Sequence, residues 1–239
     1  MSKSIAFLMT MITLLSAANV SFAASTRFTD VIPGNESAIA IEYLAETGVV
    51  EGYSDNTFRP GSSVNRAELI KIMVAGQGIN PEPGSYPSNC FNDVETGQWY
   101  EPYVCYAYSK NWIDGYSDGS FKPGNEVNRA EAVKIIVNGL SFFSSNMAIS
   151  PIDSLEDVNG GDWFAGYVNA IFQSGIENLD LMEEYVFRPA DFMTRENTAN
   201  YIFKIKALQE TESAFYWSEV RQNFLELKGL SELEDLLTM

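Results

Sequence analysis

Val64-Asn65-Arg66-Ala67-Glu68 returns as Val127-Asn128-Arg129-Ala130-Glu131 and, altered, as Met193-Thr194-Arg195-Glu196-Asn197. Upstream of each pentapeptide stands a matching opening: Phe28-Thr29-Asp30-Val31, Phe91-Asn92-Asp93-Val94 and Leu155-Glu156-Asp157-Val158. From opening aspartate to arginine the step is 36, 36 and 38 positions. A fixed internal period means one supersecondary unit built three times, each copy burying its apolar face on another. Function is then expected in the grooves between copies, where each repeat offers the same group to a neighbour.

Within a copy, apolar residues at helical spacing predict a first helix over 36–47, 100–111 and 164–174. Gly48 and Gly175 sit at the expected C-terminal stop, with Asn111 in their stead in the middle copy. A loop follows and returns through Phe-x-Pro, whose proline delays the next helix. The pentapeptide opens that second helix. Asn65 and Asn128 are good N-caps, and Glu68 and Glu131 complete a capping box. Thr194 caps the third copy, where Asn197 replaces the glutamate. The second helices carry the apolar load around Leu69, Ile70, Met73, Val133, Ile136, Ile202 and Phe203. The reading is an all-α chain: a repeat over 24–78, a second over 90–141, a third over 154–208 and a helical tail over 209–239. Tyr216, Val220, Phe224 and Leu227 mark one stripe of that tail, and Leu230, Leu233, Leu236 and Leu237 another. Docking of the tail on the repeats is the expected arrangement.

The connecting loops carry a resemblance. Gly52-Tyr53-Ser54-Asp55-Asn56-Thr57-Phe58-Arg59-Pro60 and Gly115-Tyr116-Ser117-Asp118-Gly119-Ser120-Phe121-Lys122-Pro123, set between these openings and pentapeptides, resemble the S-layer homology (SLH) family. That family's pattern runs Phe-x-Asp-Val, Gly-Tyr-x-Asp-Gly-x-Phe-x-Pro, Thr-Arg-Ala-Glu. The third copy keeps only Phe187-Arg188-Pro189, with Leu179-Asp180 where Gly-Tyr is expected and two residues inserted before Phe187. The resemblance covers residues 27 to about 208. It implies three SLH helix-loop-helix repeats arranged as a pseudo-threefold prism that anchors surface proteins, without a covalent bond, to cell-wall polysaccharide. It further implies that the motif arginine lines an inter-repeat groove for an acidic, often pyruvylated, sugar.

Composition narrows the remaining classes. Lys3, the apolar run over 5–15 and Ser21-Phe22-Ala23 read as a secretory signal peptide over 1–23, too short for a membrane anchor. The net charge of −17 repels nucleic acid and anionic membranes. It repels an anionic wall polymer too, so such binding would need locally placed cations. With no histidine, no phosphate-binding glycine loop and no nucleophile elbow, the chain reads as non-enzymatic, with no cofactor. Asp55 and Asp118 lack the ligand series of a calcium loop and read as side-chain caps of their turns. Cys90 and Cys105, the only cysteines, read as a disulfide in an exported protein. In register they replace Arg27 and Ser154, and Glu42 and Asn169, which suggests an outer face.

The candidate ligand contacts are Arg66, Arg129 and Arg195. A guanidinium fork matches a carboxylate, and the helix mouth is expected to add free N–H donors and a positive dipole. Trp99 and Trp163, equivalent to Glu36 in the first copy, suit a sugar face, but a tryptophan at a helix entry more often belongs to the core, and the core is the favoured reading. Asp30, Asp93 and Asp157 complete the candidates, beside a ligand or as partners of the arginines. Arg66 and Arg129 are expected to be the better-placed clamps, and Arg195, in the degraded copy, the weaker. The leading functional reading is an exported, cell-surface protein that binds acidic wall polysaccharide. The alternative is an envelope adaptor that meets a protein partner through the scaffold and residues 209–239.

Overall fold

The computed structural model describes residues 26–140, 155–177, 184–211 and 217–237. The signal-peptide reading, the linker up to Ser154, Leu179-Asp180 and Tyr216 lie outside the described residues. Each repeat contributes a helix pair: α1 Glu36–Glu46 and α2 Arg66–Gly76, α3 Glu101–Ser109 and α4 Arg129–Gly139, α5 Ala165–Gln173 and α6 Arg195–Glu210. The tail adds α7 Trp217–Lys228 and a 3₁₀ helix, Ser231–Leu237. Among the described residues there is no strand, and no helix is long and apolar enough to cross a membrane.

The helix starts follow the capping chemistry. Asn65, Asn128 and Thr194 are N-caps whose side chains accept from the N–H of Glu68, Glu131 and Asn197. Only the first copy closes a full capping box, with Glu68 reaching back to Asn65 N at 2.9 Å.

The repeats close on one another as a ring. The first helix of each packs on the second helix of the copy before it: α3 on α2, α5 on α4 and α1 on α6. At the centre, Val127 N donates to Val64 O, Met193 N to Val127 O, and Val64 N to Met193 O, at 3.2, 2.9 and 2.9 Å. Val64, Val127 and Met193 are fully buried there. This cycle satisfies the one backbone donor that a residue preceding a helix cap would otherwise bury unpaired. Gly139 allows close helix approach, since a Cβ at that position would stand 1.9 Å from Met73 Sδ on α2.

The tail docks on α1 and α6. Val220, Phe224, Leu225 and Leu236 are buried, and Tyr43 of α1 packs at a tilt against both Phe224 and Phe203, with ring centroids 5.1 and 5.2 Å apart. Leu227, expected in the stripe, is exposed, and Leu225 takes the inward position beside Phe224.

The disulfide joins Cys90 to Cys105. Cys105 is wholly buried, against the outer-face expectation. Polarity of the equivalent positions misled: Glu42 is buried too, and Arg27 Nε donates to its carboxylate at 2.8 Å. A disulfide in the second repeat therefore occupies the place of an ion pair in the first, and each ties an opening segment to its helix.

Candidate functional site

The opening aspartates build the loop. Asp30 accepts from Phe58 N and Arg59 N at 2.7 and 2.8 Å, Asp93 from Phe121 N and Lys122 N at 2.7 and 2.8 Å, and Asp157 from Phe187 N and Arg188 N at 2.7 and 2.6 Å. The second residue of each pair, Arg59, Lys122 or Arg188, has a φ of 57–58°. A side-chain-bearing residue in this left-handed region is strained by about 1–2 kcal/mol, and two hydrogen bonds to a carboxylate offset that strain. In the intact copies the loop also presses on its own opening, for a Cβ on Gly52 would lie 2.2 Å from the Phe28 ring and one on Gly115 2.4 Å from that of Phe91. Asp55, held at a pKa of about 2 by hydrogen bonds from Thr57 and Arg59, and Asp118, held below the usual range by Ser120, cap the turns between.

The carbonyl positioned by each aspartate receives an arginine from the preceding copy in the ring. Arg66 Nε donates to Phe121 O, Arg129 Nε to Phe187 O and Arg195 Nε to Phe58 O, at 2.9, 2.9 and 2.8 Å. Each guanidinium also lies over the phenylalanine it serves, 4.5–4.7 Å from the ring centroid. The arginines are therefore largely buried rather than splayed outward, and none pairs with an opening aspartate. Nor is the helix mouth free. The N–H groups of Arg66, Arg129 and Arg195 donate to Asn125 O, Asp191 O and Ser62 O, and the following N–H groups donate to Pro123 O, Pro189 O and Pro60 O. With the caps, these bonds consume the helix donors, so binding chemistry rests on side chains.

Two of the three grooves are built alike, and each draws on all three repeats. In the first, a cavity of about 250 Å³ joins Arg66 of repeat one to Asp114, Tyr116, Glu131 and Lys134 of repeat two and Trp163 of repeat three. In the second, about 200 Å³ joins Arg195 of repeat three to Glu51, Glu68 and Lys71 of repeat one and Trp99 of repeat two. Trp99 and Trp163 are 52% and 58% exposed, so the groove, rather than the core, claims them. Tyr116 and Tyr53 stand 5.0 and 5.2 Å beneath the two guanidinium carbons. Among the described residues Arg66 Nη1 and Nη2 make no hydrogen bond, the Glu131 carboxylate standing 3.7 Å from Nη1, and Lys71 makes no ion pair. Lys134 is 3.3 Å from Asp114. The two lysines, one turn beyond each second-helix start, escaped sequence reasoning, although their identical placement five residues after Arg66 and Arg129 was a usable signal.

The third groove keeps its arginine and differs in the groups around it. Arg129 faces repeat three, where Glu177 lies 3.5 Å from its Nη2 and accepts from the Tyr201 hydroxyl. Tyr201 stands where the other grooves have Ile135 and Ile72, and Asn200 where they have lysine. Burial, with Glu177 alongside, pushes the Tyr201 hydroxyl well above its ordinary pKa. Glu36 takes the tryptophan position and meets Arg221 of the tail at 2.8 Å and Lys204 at 3.4 Å. A cavity of about 460 Å³ opens here, lined by Arg129 and Glu177 together with Glu184, Arg188, Asp191 and Asn197.

A ring of three helix pairs, closed by the pentapeptide arginines on the Phe-x-Pro loops, defines the class of protein. The S-layer homology domain matches residues 27–70 and 91–133. Two of the repeats thus match the S-layer homology domain, and the third shares their helix pair but not their loop consensus. The chain is 29% identical over 194 residues to the Middle cell wall protein of Brevibacillus brevis, covering 72% of this chain and 18% of that protein. It is 32% identical over 128 residues to the Cellulosome-anchoring protein of Acetivibrio thermocellus, covering 52% and 28%. It is 29% identical over 182 residues to Exoglucanase XynX of the same species, covering 75% and 16%. The chain thus spans less than a third of the length of each of these relatives.

Proposed function

We propose that this protein is a non-enzymatic, exported binding module that attaches to the bacterial cell surface by gripping an acidic polysaccharide of the wall. The observation that carries the reading is the composition of the two like grooves: a guanidinium, a lysine and an exposed indole, brought together from three repeats. A carboxylate on a sugar, as in a pyruvate ketal or a uronic acid, fits the cations, and the ring's apolar face fits the indole. The acidic surface repels the polymer only at long range, because screening confines that field to about 8 Å. Relatives named for the cell wall and for anchoring support the same reading.

The test is co-sedimentation with purified wall sacculi, native and chemically depyruvylated, using the wild type and a Trp99→Ala, Trp163→Ala variant. Binding is expected to native walls and to fail both on stripped walls and in the variant. Equal binding of wild type to stripped walls would dismiss the pyruvyl carboxylate as the ligand group. Burial of Val220, Phe224, Leu225 and Leu236 of the tail, which packs on α1 and α6, favours the wall polymer over a protein partner at that stripe.

A further inference from the structure

We infer that Asn159-Gly160 is a site of spontaneous covalent modification, where the asparagine loses ammonia and becomes aspartate or isoaspartate in the turn that leads into Trp163. The inference is independent of the wall-binding reading. The attacking group is the backbone nitrogen of Gly160. As its proton passes to water, that nitrogen bonds to Cγ of Asn159, and the side-chain nitrogen leaves as ammonia. Water then opens the five-membered imide at either carbonyl. One opening gives aspartate, and the other gives isoaspartate, with the main chain routed through the side chain. The net change consumes one water and releases one ammonia, with no other reactant.

The turn leaves both reacting groups free. Asn159, Gly160 and Gly161 are exposed. Among the described residues neither the Asn159 side-chain amide nor the Gly160 N–H makes a hydrogen bond. Glycine has no Cβ to obstruct the approach of its nitrogen. The sister repeats fill the same turn differently. Asp162 N donates to Asn159 O at 2.9 Å, as Gln98 N does to Glu95 O at 3.3 Å. In that register Asn159-Gly160 stands where repeat two has Glu95-Thr96 and repeat one Ile32-Pro33, neither of which carries a side-chain amide. The chain's other described Asn-Gly pair, Asn138-Gly139, ends α4, where Gly139 is buried and the hydrogen-bonded helix holds the backbone fixed. The consequence is local. The Asp162 carboxylate accepts from Asn159 N at 2.8 Å, so a new carboxylate arises beside an existing one, and isoaspartate lengthens the main chain between those two partners. Trp163 follows directly and lines the Arg66 cavity, whereas Trp99, behind Glu95-Thr96, lines the Arg195 cavity. Ageing therefore alters one groove and spares its twin.

The experiment is incubation of the full chain at physiological temperature and mildly alkaline pH, followed by intact mass, peptide mapping and enzymatic methylation of isoaspartate. A gain of one mass unit at Asn159 is expected, with isoaspartate exceeding aspartate and Asn138 intact. The reaction should quicken as the pH rises, because the attacking nitrogen must shed its proton. Gly160→Pro, which copies Pro33 and removes the attacking N–H, should stop it. So should Asn159→Gln, whose longer side chain closes a ring far more slowly. In the aged protein the indole N–H resonance of Trp163 should gain a second position while that of Trp99 stays single. Reaction at Asn159 no faster than at Asn138, persistence in Gly160→Pro, or aspartate formed without isoaspartate would overturn the assignment. A Trp163 signal unchanged in fully modified protein would overturn its link to the groove.

Discussion

Arg195 donates its Nε hydrogen to the carbonyl oxygen of Phe58 at 2.8 Å, across 137 residues of chain. This bond closes the ring, because Arg66 and Arg129 link consecutive repeats whereas Arg195 returns the last to the first. Nη2 adds a bond to Glu51 O at 3.0 Å. Arg195→Ala leaves two loop carbonyls without their donor and removes a cation stacked on Phe58. Hydrogen bonds from a charged group contribute about 1.5–3 kcal/mol each, partly offset by relaxation and water entry. A loss of about 2–4 kcal/mol in urea-induced unfolding is expected, and Arg195→Lys should recover little, since an ammonium cannot span both carbonyls. Unchanged stability in the alanine variant would contradict the closure role.

Asp30 and Arg59 form the second testable pair. Asp30→Asn turns one acceptor into a donor facing an N–H, and about 1.5–3 kcal/mol of stability should go. Arg59→Gly in that background should return about 1 kcal/mol, because glycine adopts the left-handed conformation without steric cost. Denaturation of the four proteins in the cycle measures the coupling. Additive effects would mean that the carboxylate and the strained backbone are independent.

Much of this architecture was legible in the sequence, because caps, periodicity and a repeated opening act locally. Asn65, Asn128 and Thr194 cap where their spacing predicted. What escaped was set by the ring. Arg129 is in an intact pentapeptide and Arg195 in a degraded one, so sequence favours Arg129. The arginine of each repeat, however, serves the loop of the next, which puts Arg129 against the degraded loop of repeat three and Arg195 against the intact Gly52-Tyr53. The helix-mouth N–H groups looked available for the same reason: the carbonyls that consume them come from the neighbouring copy. Trp99 and Trp163 read as core rather than groove because their groove partners lie in other repeats.

The exchange of an ion pair for a disulfide gives a third prediction. A cross-link closing a loop of 15 residues is worth roughly 3 kcal/mol by the chain-entropy model. Cys90→Ser, Cys105→Ser should lose about that much, and reductant should lower wild-type stability to match while leaving the variant unmoved. Cys90→Arg, Cys105→Glu, copying Arg27 and Glu42, should restore part of it in thermal unfolding. A variant as stable as the oxidised wild type would remove the bridge from the account of stability.

Tyr43 links the ring to the tail and makes the pairing of α1 with α6 and α7 sensitive to alkali. Burial between Phe203 and Phe224, with Glu210 nearby, pushes its hydroxyl from 10.0 to about 12. A raised folded-state value contributes stability that is fully present below pH 10 and is lost as the pH climbs through about 12, because the unfolded chain ionises first. Two pKa units correspond to about 2–3 kcal/mol. Tyr201, raised well above the ordinary value by burial and Glu177, acts in the same direction. Stability measured by urea denaturation should therefore decline steadily from pH 10 upward. Tyr43→Phe should flatten part of that decline and leave the share that belongs to Tyr201, while a slope identical to wild type would show that the Tyr43 hydroxyl ionises freely in the folded protein.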